Sequence, residues 1–374
     1  VTTSYFFAGG GTGGHIYPAL AVAERIAELQ PEANIHFLCS ERAIDAGILE
    51  KTDFDFTTLP ARGFSIRPKA LIRFFSSFRK SARIAADLIT KAENPVVIGV
   101  GGFVAAPVCR AGRKAKIPVA LINVDIIPGK ANKLIAHWAD EIFIQFEDSV
   151  KYFIARKANI TITGCPLRKQ FDHPDPAKII ADLNLDPDKK ILLITGASSG
   201  SARVNEAVIA NLPNLKQFAQ TWQIVHLAGH SNFEQVSSDY AAAEISHTVL
   251  AYCDQMPSLL AGADLLIGRS GAVSIAEYAA SAVPAICMPY PHHRDMHQYL
   301  NAATLVDIGA AVIVDDLPDP AERAQWLWEQ LEELMTDDKA RAEMKASYKN
   351  LKTKNAAMKI AKKLTEIAEI TRLY

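Results

Sequence analysis

The chain of 374 residues is poor in cysteine, and the few it has are not placed to work together. Cys39, Cys109, Cys165, Cys253 and Cys287 are odd in number, widely spaced and form no CxxC pair. That argues against a disulfide framework or a zinc site and for a reducing compartment. No uncharged apolar run reaches the roughly 18 residues of a membrane-spanning helix. The opening residues VTTSYFFAGGG lack a basic segment followed by an apolar stretch and a cleavage site, so secretion is not expected. There is no excess of one charge: 40 Lys+Arg stand against 41 Asp+Glu, a formal net charge of −1, which disfavours a globally basic nucleic-acid binder. No repeat of solenoid length is visible. What remains is 49% hydrophobic residues in a length that suits two domains, each able to bury its own core. The expectation is a soluble protein that still has surface to offer a membrane.

Short β-branched runs bounded by Gly, Pro or Asn alternate with amphipathic stretches along the whole chain. In the first half they are Ser4–Ala8, Asn34–Cys39, Phe54–Leu59, Pro95–Val100, Pro118–Val124, Glu141–Phe146 and Asn159–Thr163. In the second they are Lys190–Thr195, Gln223–Ala228, His247–Tyr252, Asp264–Gly268, Pro284–Pro289 and Ala311–Val314. Runs of this kind suit buried parallel strands. Helical patterns lie between them, as at Pro18–Gln30 and Ser201–Asn211, and from Pro320 to Tyr374 the chain reads as continuous helix. The alternation predicts an α/β protein of two doubly wound, Rossmann-like domains. A Pro- and Asp-rich segment after Gly164-Cys165-Pro166 marks the boundary, giving domains 1–164 and 165–351. The two sheets are expected to face a deep interdomain cleft at the carboxyl ends of their strands, where ligands bind in such folds.

Four glycine-rich turns follow predicted strands: Gly9 to Gly14 before His15, Gly99 to Phe103, Gly196 to Gly200, and Gly268 to Ala272. Each precedes a helix-like stretch, and helix N-termini offer N–H groups to anions such as a diphosphate. The spacing fits neither GxGxxG with its acidic partner nor GxxxxGK[ST], so an NAD site and a P-loop are both poor fits. His15 is placed to act as a base or hydrogen-bond donor, or else to be a structural histidine of the turn. Glu277 is placed to take two sugar hydroxyls, or else to be a solvated helix residue. Further on, His292, His293 and His297 lack the carboxylate context and spacing of a zinc helix. Gln298 and Asn301 lie three apart, so both amides are candidates for binding sugar hydroxyls.

Taken in order, these blocks resemble the MurG-like, lipid-linked glycosyltransferases of family 28, which have the two-domain GT-B fold. The blocks are GGGTGGHIYPALAVAERI, VIGVGGFVAAP, PGKANKLIA, TGCPLR, TGASSGSARVNEAV, RSGAVSIAE and HQYLNA, and the likeness runs from about Tyr5 to Val314. The resemblance implies transfer of N-acetylglucosamine from UDP-GlcNAc to the muramoyl-pentapeptide of lipid I, giving lipid II for peptidoglycan and hence a part in cell wall growth, shape and division. It implies that Arg168 and Ser198 hold the UDP diphosphate, and that Cys253, Ala272, Val273 and Ser274 line the uracil and phosphate pocket. Glu277 would bind the ribose, and Gln298 and Asn301 the GlcNAc. Thr12, Gly13, Gly14 and His15 would lie on the acceptor side, near the reacting centre. It also assigns the first domain to the acceptor and membrane and the second to UDP-GlcNAc, with a helix at about 352–374 packing back on the first.

The chain departs from the family pattern at three places. Ile122-Asn123-Val124-Asp125 replaces a His-Glu-Gln-Asn run, the paired glutamines become His297-Gln298, and Phe103 replaces a tyrosine. Phe103, Asn123 and Asp125 fall on the acceptor side. The implied reaction inverts the anomeric carbon, with His15 and Asp125 as candidate bases and no cofactor or metal; UDP-GlcNAc is a substrate. Rival readings are a GT-B transferase with another lipid or small-molecule acceptor, a UDP-sugar 2-epimerase, and a protein that binds the sugar nucleotide without consuming it. From Phe56 to Ala86 there is no Asp or Glu, while Arg62, Arg67, Lys69, Arg73, Arg79, Lys80 and Arg83 interleave with Phe64, Ile66, Leu71, Ile72, Phe74, Phe75 and Phe78. Cations beside apolar side chains suit an anionic membrane surface, the alternative being that the phenylalanines pack inward. Arg110, Arg113, Lys114 and Lys116 would extend the patch. The expected location is peripheral, on the cytoplasmic face of the cell membrane.

Overall fold

The computed structural model describes residues 2–11, 13–63, 67–154, 157–197, 200–292, 295–351 and 355–372. Thr12 and Ser198, and Phe64 and Ile66 of the basic-apolar stretch, lie outside the described residues. The chain divides into two compact units, Val1–Lys169 with Thr353–Tyr374, and Gln170–Lys352.

In the first unit the strands are β1 Ser4–Ala8, β2 Asn34–Ser40, β3 Asp55–Leu59, β4 Pro95–Gly99, β5 Val119–Asn123, β6 Glu141–Ile144 and β7 Asn159–Ile162. They form one parallel sheet in the order β3-β2-β1-β4-β5-β6-β7. Every residue of β1 is buried, which is why it carries no polar–apolar alternation: helices cover both faces of a parallel sheet. The chain runs outward from β1 to β3, then returns through the helix Pro68–Ile89 to β4 on the other side of β1. The second unit repeats the plan with β8 Lys190–Thr195, β9 Trp222–Leu227, β10 His247–Leu250, β11 Leu265–Gly268, β12 Ala285–Cys287 and β13 Ala311–Ile313. Their order is β10-β9-β8-β11-β12-β13, again all parallel. Each sheet thus has one reversal of strand order, between β1 and β4 and between β8 and β11.

Two helical expectations are corrected. The first helix spans Gly13–Leu29 rather than starting at Pro18. Glycines are poor helix formers and Pro18 withholds an N–H, so propensity alone places the start too late; packing of Ile16, Ala19, Leu20, Ala23 and Ile26 into the core holds the early turn. Among the described residues the region after Pro320 is not one α-helix but three: Pro320–Thr336, Asp338–Ser347 and Ala356–Arg372. Asp337 breaks the first from the second, its backbone extended and its carboxylate accepting from the Ala340 N–H at 2.9 Å. Capping is a local event that a Lys/Glu-rich composition does not reveal. The last helix belongs to the first unit, where it buries Ile360, Ala361 and Leu364 against the helix Gly13–Leu29. Asn94 also ties it down, donating to the Ala368 carbonyl at 3.2 Å.

The core of the second unit contains a polar knot. His226 on β9 meets the Tyr240 hydroxyl at 3.0 Å and Asn205 Oδ1 at 3.0 Å, and Asn205 donates to the Ala228 carbonyl at 3.0 Å. Burial lowers the His226 pKa to about 3, so the folded state keeps the ring neutral where the unfolded chain would protonate it. The stability this contributes is complete above about pH 6.5 and is lost as pH falls towards 3, at about 1.4 kcal/mol per pH unit. His226→Gln should therefore flatten the loss of urea-unfolding free energy between pH 6.5 and 5. An unchanged slope would show that His226 is not the group being charged.

Candidate active site

In the first unit, β1 and β4 end level, with Ala8 opposite Gly99, so the turns that leave them emerge side by side. One leads through Gly9–Gly11 into the helix Gly13–Leu29, the other through Gly101 into the helix Gly102–Lys114. The two turns touch backbone to backbone. A Cβ on Gly102 (φ +75°) would lie 2.3 Å from the Gly10 carbonyl oxygen. One on Gly101 (φ +121°) would lie 2.7 Å from Cδ2 and 2.9 Å from Nε2 of His15. Glycine is required at both, for space as well as for conformation. His15, half-buried in the first turn of its helix, therefore packs its ring against the Gly101 backbone. Burial pulls its pKa below 6.5, while the carboxylates of Asp125 and Asp45 and a hydrogen bond to the Gly10 backbone act in the opposite direction. The result is an imidazole that is neutral at pH 7, the form in which one ring nitrogen can accept a proton.

The other residues expected on the acceptor side gather at neighbouring strand ends. Asn123, at the end of β5, is buried; it donates to the Asp125 carbonyl at 2.7 Å and accepts from Asn132 Nδ2 at 2.9 Å. Asn123 thereby shapes the turn that carries the half-buried Asp125. Phe103 is half-buried and lies against Gly11, where a Cβ would be 3.3 Å from its Cε1. Gly13 is buried and Gly14 half-buried. Arg168, expected in the second domain, falls in the first unit, which runs to Lys169. Its guanidinium lies 4.4 Å from the centroid of the Tyr17 ring, and its Nε is buried with no protein partner.

In the second unit the turns after β8 and β11 are likewise adjacent, Thr195 lying opposite Gly268. Ser201 caps the helix Ala202–Ile209 and accepts from Arg269 Nε at 3.1 Å. Arg269 is almost fully buried; it also donates to the carbonyls of Met288 (2.8 Å) and Pro289 (3.2 Å) and pairs with Asp316 at 2.8 Å. Asp316 binds Arg203 as well, at 2.7 Å. The helix Ala272–Ser281 starts beside this cluster, bringing its positive end to the turn. Ala272 is buried, and Val273, Ser274, Glu277 and Cys253 are half-buried.

Gln298 and Asn301 are not equivalent. Gln298 is half-buried and its Oε1 accepts from the Tyr290 N–H at 3.0 Å. Asn301 is fully buried and donates to the Ser270 carbonyl at 3.2 Å, leaving its Oδ1 and the neighbouring Ser270 Oγ without protein partners. The expectation that both amides face a sugar thus meets a structure in which Asn301 braces the turn behind it. The histidines are dispersed: His297 bonds Asp295 at 2.8 Å and His292 approaches Arg203 at 3.4 Å, while His293 lies outside the described residues. Among the described residues no group of three or more His, Cys, Asp or Glu is arranged to hold a metal ion.

Sequence reasoning missed Asp45, Arg42, Asn132 and Asp316. Each looks like an ordinary loop or helix polar residue in sequence; burial sets Asp45, Asn132 and Asp316 apart, and Arg42 is set apart by its bond to the Gly11 carbonyl.

Residues 5–144 match the N-terminal domain of glycosyltransferase family 28 and residues 191–364 its C-terminal domain. A protein of Halothermothrix orenii named UDP-N-acetylglucosamine--N-acetylmuramyl-(pentapeptide) pyrophosphoryl-undecaprenol N-acetylglucosamine transferase is 35% identical over 356 residues, covering 92% of this chain and 94% of its own. The crystal structure of Acinetobacter baumannii MurG superposes with a TM-score of 0.73 at 24% identity, over 98% of this chain and 100% of that one. A UDP-GlcNAc 2-epimerase from Neisseria meningitidis reaches 0.68 at 14% identity, over 98% and 100%, so the fold by itself does not separate the two activities. The two domain matches and the identity along nearly the whole length do separate them, and the chain belongs to glycosyltransferase family 28.

Proposed function

We infer that the chain is a hexosyltransferase that moves N-acetylglucosamine from UDP-GlcNAc to the muramoyl-pentapeptide of lipid I, making lipid II for peptidoglycan. The observation that carries this reading is the 35% identity to the H. orenii transferase across 92% of this chain. In the proposed reaction an acceptor hydroxyl oxygen attacks the anomeric carbon of an α-linked donor as the bond to the diphosphate breaks. UDP leaves with that electron pair, and the product is β-linked. The acceptor proton passes to His15, whose neutral, depressed imidazole supports its choice over Asp125.

On the donor side, the positive end of the helix Ala272–Ser281 and Arg168 would stabilise charge on the departing diphosphate. Cys253, Ala272, Val273 and Ser274 would line the uracil and phosphate pocket, Glu277 would take the ribose hydroxyls, and Gln298 a GlcNAc hydroxyl. Asn301 would reach the sugar only by releasing the Ser270 carbonyl. Thr12 and Ser198 keep their roles on the strength of the resemblance alone, and Phe103, Asn123 and Asp125 would face the acceptor.

We further propose that the first unit docks peripherally on the anionic, cytoplasmic face of the membrane. Among the described residues no helix is long and apolar enough to cross a membrane. On the helix Pro68–Ile89, Ile72 is 71% and Phe75 52% exposed. A groove of about 770 Å³ is lined by Phe74, Phe75, Phe78 and Trp138 together with Arg79, Arg83, Arg110 and Lys114. Phe78 packs partly on the core, so the inward-packing alternative holds for part of the stretch and leaves its outer face apolar and cationic. Each cation near an anionic leaflet is worth about 1 kcal/mol.

Four outcomes follow. Purified protein given radiolabelled UDP-GlcNAc and a lipid I analogue should release UDP and label the muramoyl sugar. Free epimerised sugar, or binding without transfer, would overturn the assignment. His15→Gln should lower kcat by about 10²–10⁴-fold with UDP still bound. Asp125→Asn removes a charge that raises the His15 pKa, so it should retain activity and move the acid limb of the kcat profile to lower pH; loss of activity in Asp125→Asn with survival of His15→Gln would make Asp125 the base. In vesicle flotation the protein should bind anionic vesicles, release at high salt, and lose binding when Arg79 and Arg83 become Glu. Equal binding to zwitterionic vesicles would sink the docking surface.

A further inference from the structure

We propose that Asp45 is a positioning residue: buried beneath the first glycine turn, it holds the arch at Gly10–Gly11 from which His15 is set against Gly101. The side chain is inaccessible to solvent. Both of its oxygens accept from the Gly11 N–H, at 3.0 and 2.8 Å, and Oδ2 also accepts from the Ser40 N–H at 3.1 Å and from the Ser40 hydroxyl. A buried carboxylate is tolerated only when donors surround it, and here the donors come from the end of β2 and from the turn itself. The packing is equally tight: a Cβ on Gly10 would lie 2.3 Å from Asp45 Oδ2. From the same short segment Arg42 donates to the Gly11 carbonyl at 2.7 Å and rests its guanidinium 5.4 Å from the Phe103 centroid.

Gly11 (φ +92°) is therefore gripped on both sides, its N–H by Asp45 and its carbonyl by Arg42. That grip orients the peptide planes leading into the helix of His15. Asp45 also acts on His15 through charge. Asp125 from the turn after β5 and Asp45 from beneath the loop both favour the protonated ring against the larger effect of burial, while Arg42 is the cation on the same turn. Asparagine at 45 would offer one acceptor oxygen and present an N–H₂ to the remaining donors, so it both loosens the arch and deletes the charge.

This rests on the reading of His15 as the base, and the test separates the two. In the full chain carrying ¹³C-labelled histidine, the His15 ring, assigned by His15→Gln, is titrated by NMR in the parent and in Asp45→Asn. The titration of His15 should move to lower pH in Asp45→Asn. On the same reading kcat should fall by about a hundredfold, the scale of loss that misplacement of a reacting group produces, with UDP affinity within about twofold of the parent. A His15 titration that does not move overturns the proposal, whatever happens to activity. A titration that moves while kcat stays at the parent value overturns the positioning role, because loss of the charge alone moves the titration; failure of the base assignment is read separately, as full activity in His15→Gln. Should Asp45→Asn not fold, Arg42→Gln decides, because Arg42 is exposed and its loss frees only the Gly11 carbonyl and one face of the Phe103 ring. A severalfold fall in kcat at unchanged UDP affinity supports the two-sided grip, and full activity overturns it.

Discussion

Much of the site's geometry depends on the level ending of two parallel strands. Because Ala8 and Gly99 are partners across β1 and β4, the turns that follow cannot avoid each other, and the contact between them is backbone on backbone. The gap left at Gly102 is too small for any side chain, so the conformation of each turn constrains the other. His15 inherits its position from that contact. The rule that ligands gather where strand order reverses in an open parallel sheet thus has a concrete cause here: only at the reversal do two such turns leave neighbouring strands without a crossover helix between them.

The second unit meets the same packing problem with close-packed glycines and adds charge to them. There the turns after β8 and β11 are joined by Arg269, whose guanidinium is distributed over Ser201, two carbonyls and Asp316. Burying an ion pair yields little net stability against a well-packed apolar alternative, and breaking one is costly. What it provides is geometry, since a planar guanidinium with fixed donor directions holds four chain segments in register. The helix that begins at Ala272 is thereby presented with its positive end at a defined place.

The environment of His15 combines opposing effects of burial and charge. Burial favours the neutral ring and the carboxylates of Asp125 and Asp45 favour the charged one; burial is the larger effect. A base held neutral but still close to carboxylates can take up a proton and have the resulting cation stabilised. Full burial without those carboxylates would leave the imidazole a weaker proton acceptor. Asp125 therefore changes the electrostatics around His15 even if it touches no substrate.

The local sequence determined the elements. All the strands expected from β-branched runs are present, most with ends shifted by one or two residues, because the central strands are buried on both faces and demand apolar composition whatever their neighbours are. The glycine turns were legible for the same reason: their composition answers a backbone need that is met within a few residues. Tertiary structure decided everything that depends on residues distant in the chain. Propensity could not place the helix start at Gly13, because the packing that holds the helix comes largely from residues distant in the chain. The Pro320–Tyr374 stretch was broken first by a cap at Asp337, and its last helix went to the other unit. Asn301 and Gln298 share a helical spacing, yet one is buried against Ser270 and the other bonds Tyr290, since spacing gives a face and only packing says what the face meets. Asp45 and Asp316 are the sharpest case. An acid in a short loop or a first helical turn reads as solvated, and it becomes a structural centre only when segments distant in sequence close over it and supply donors.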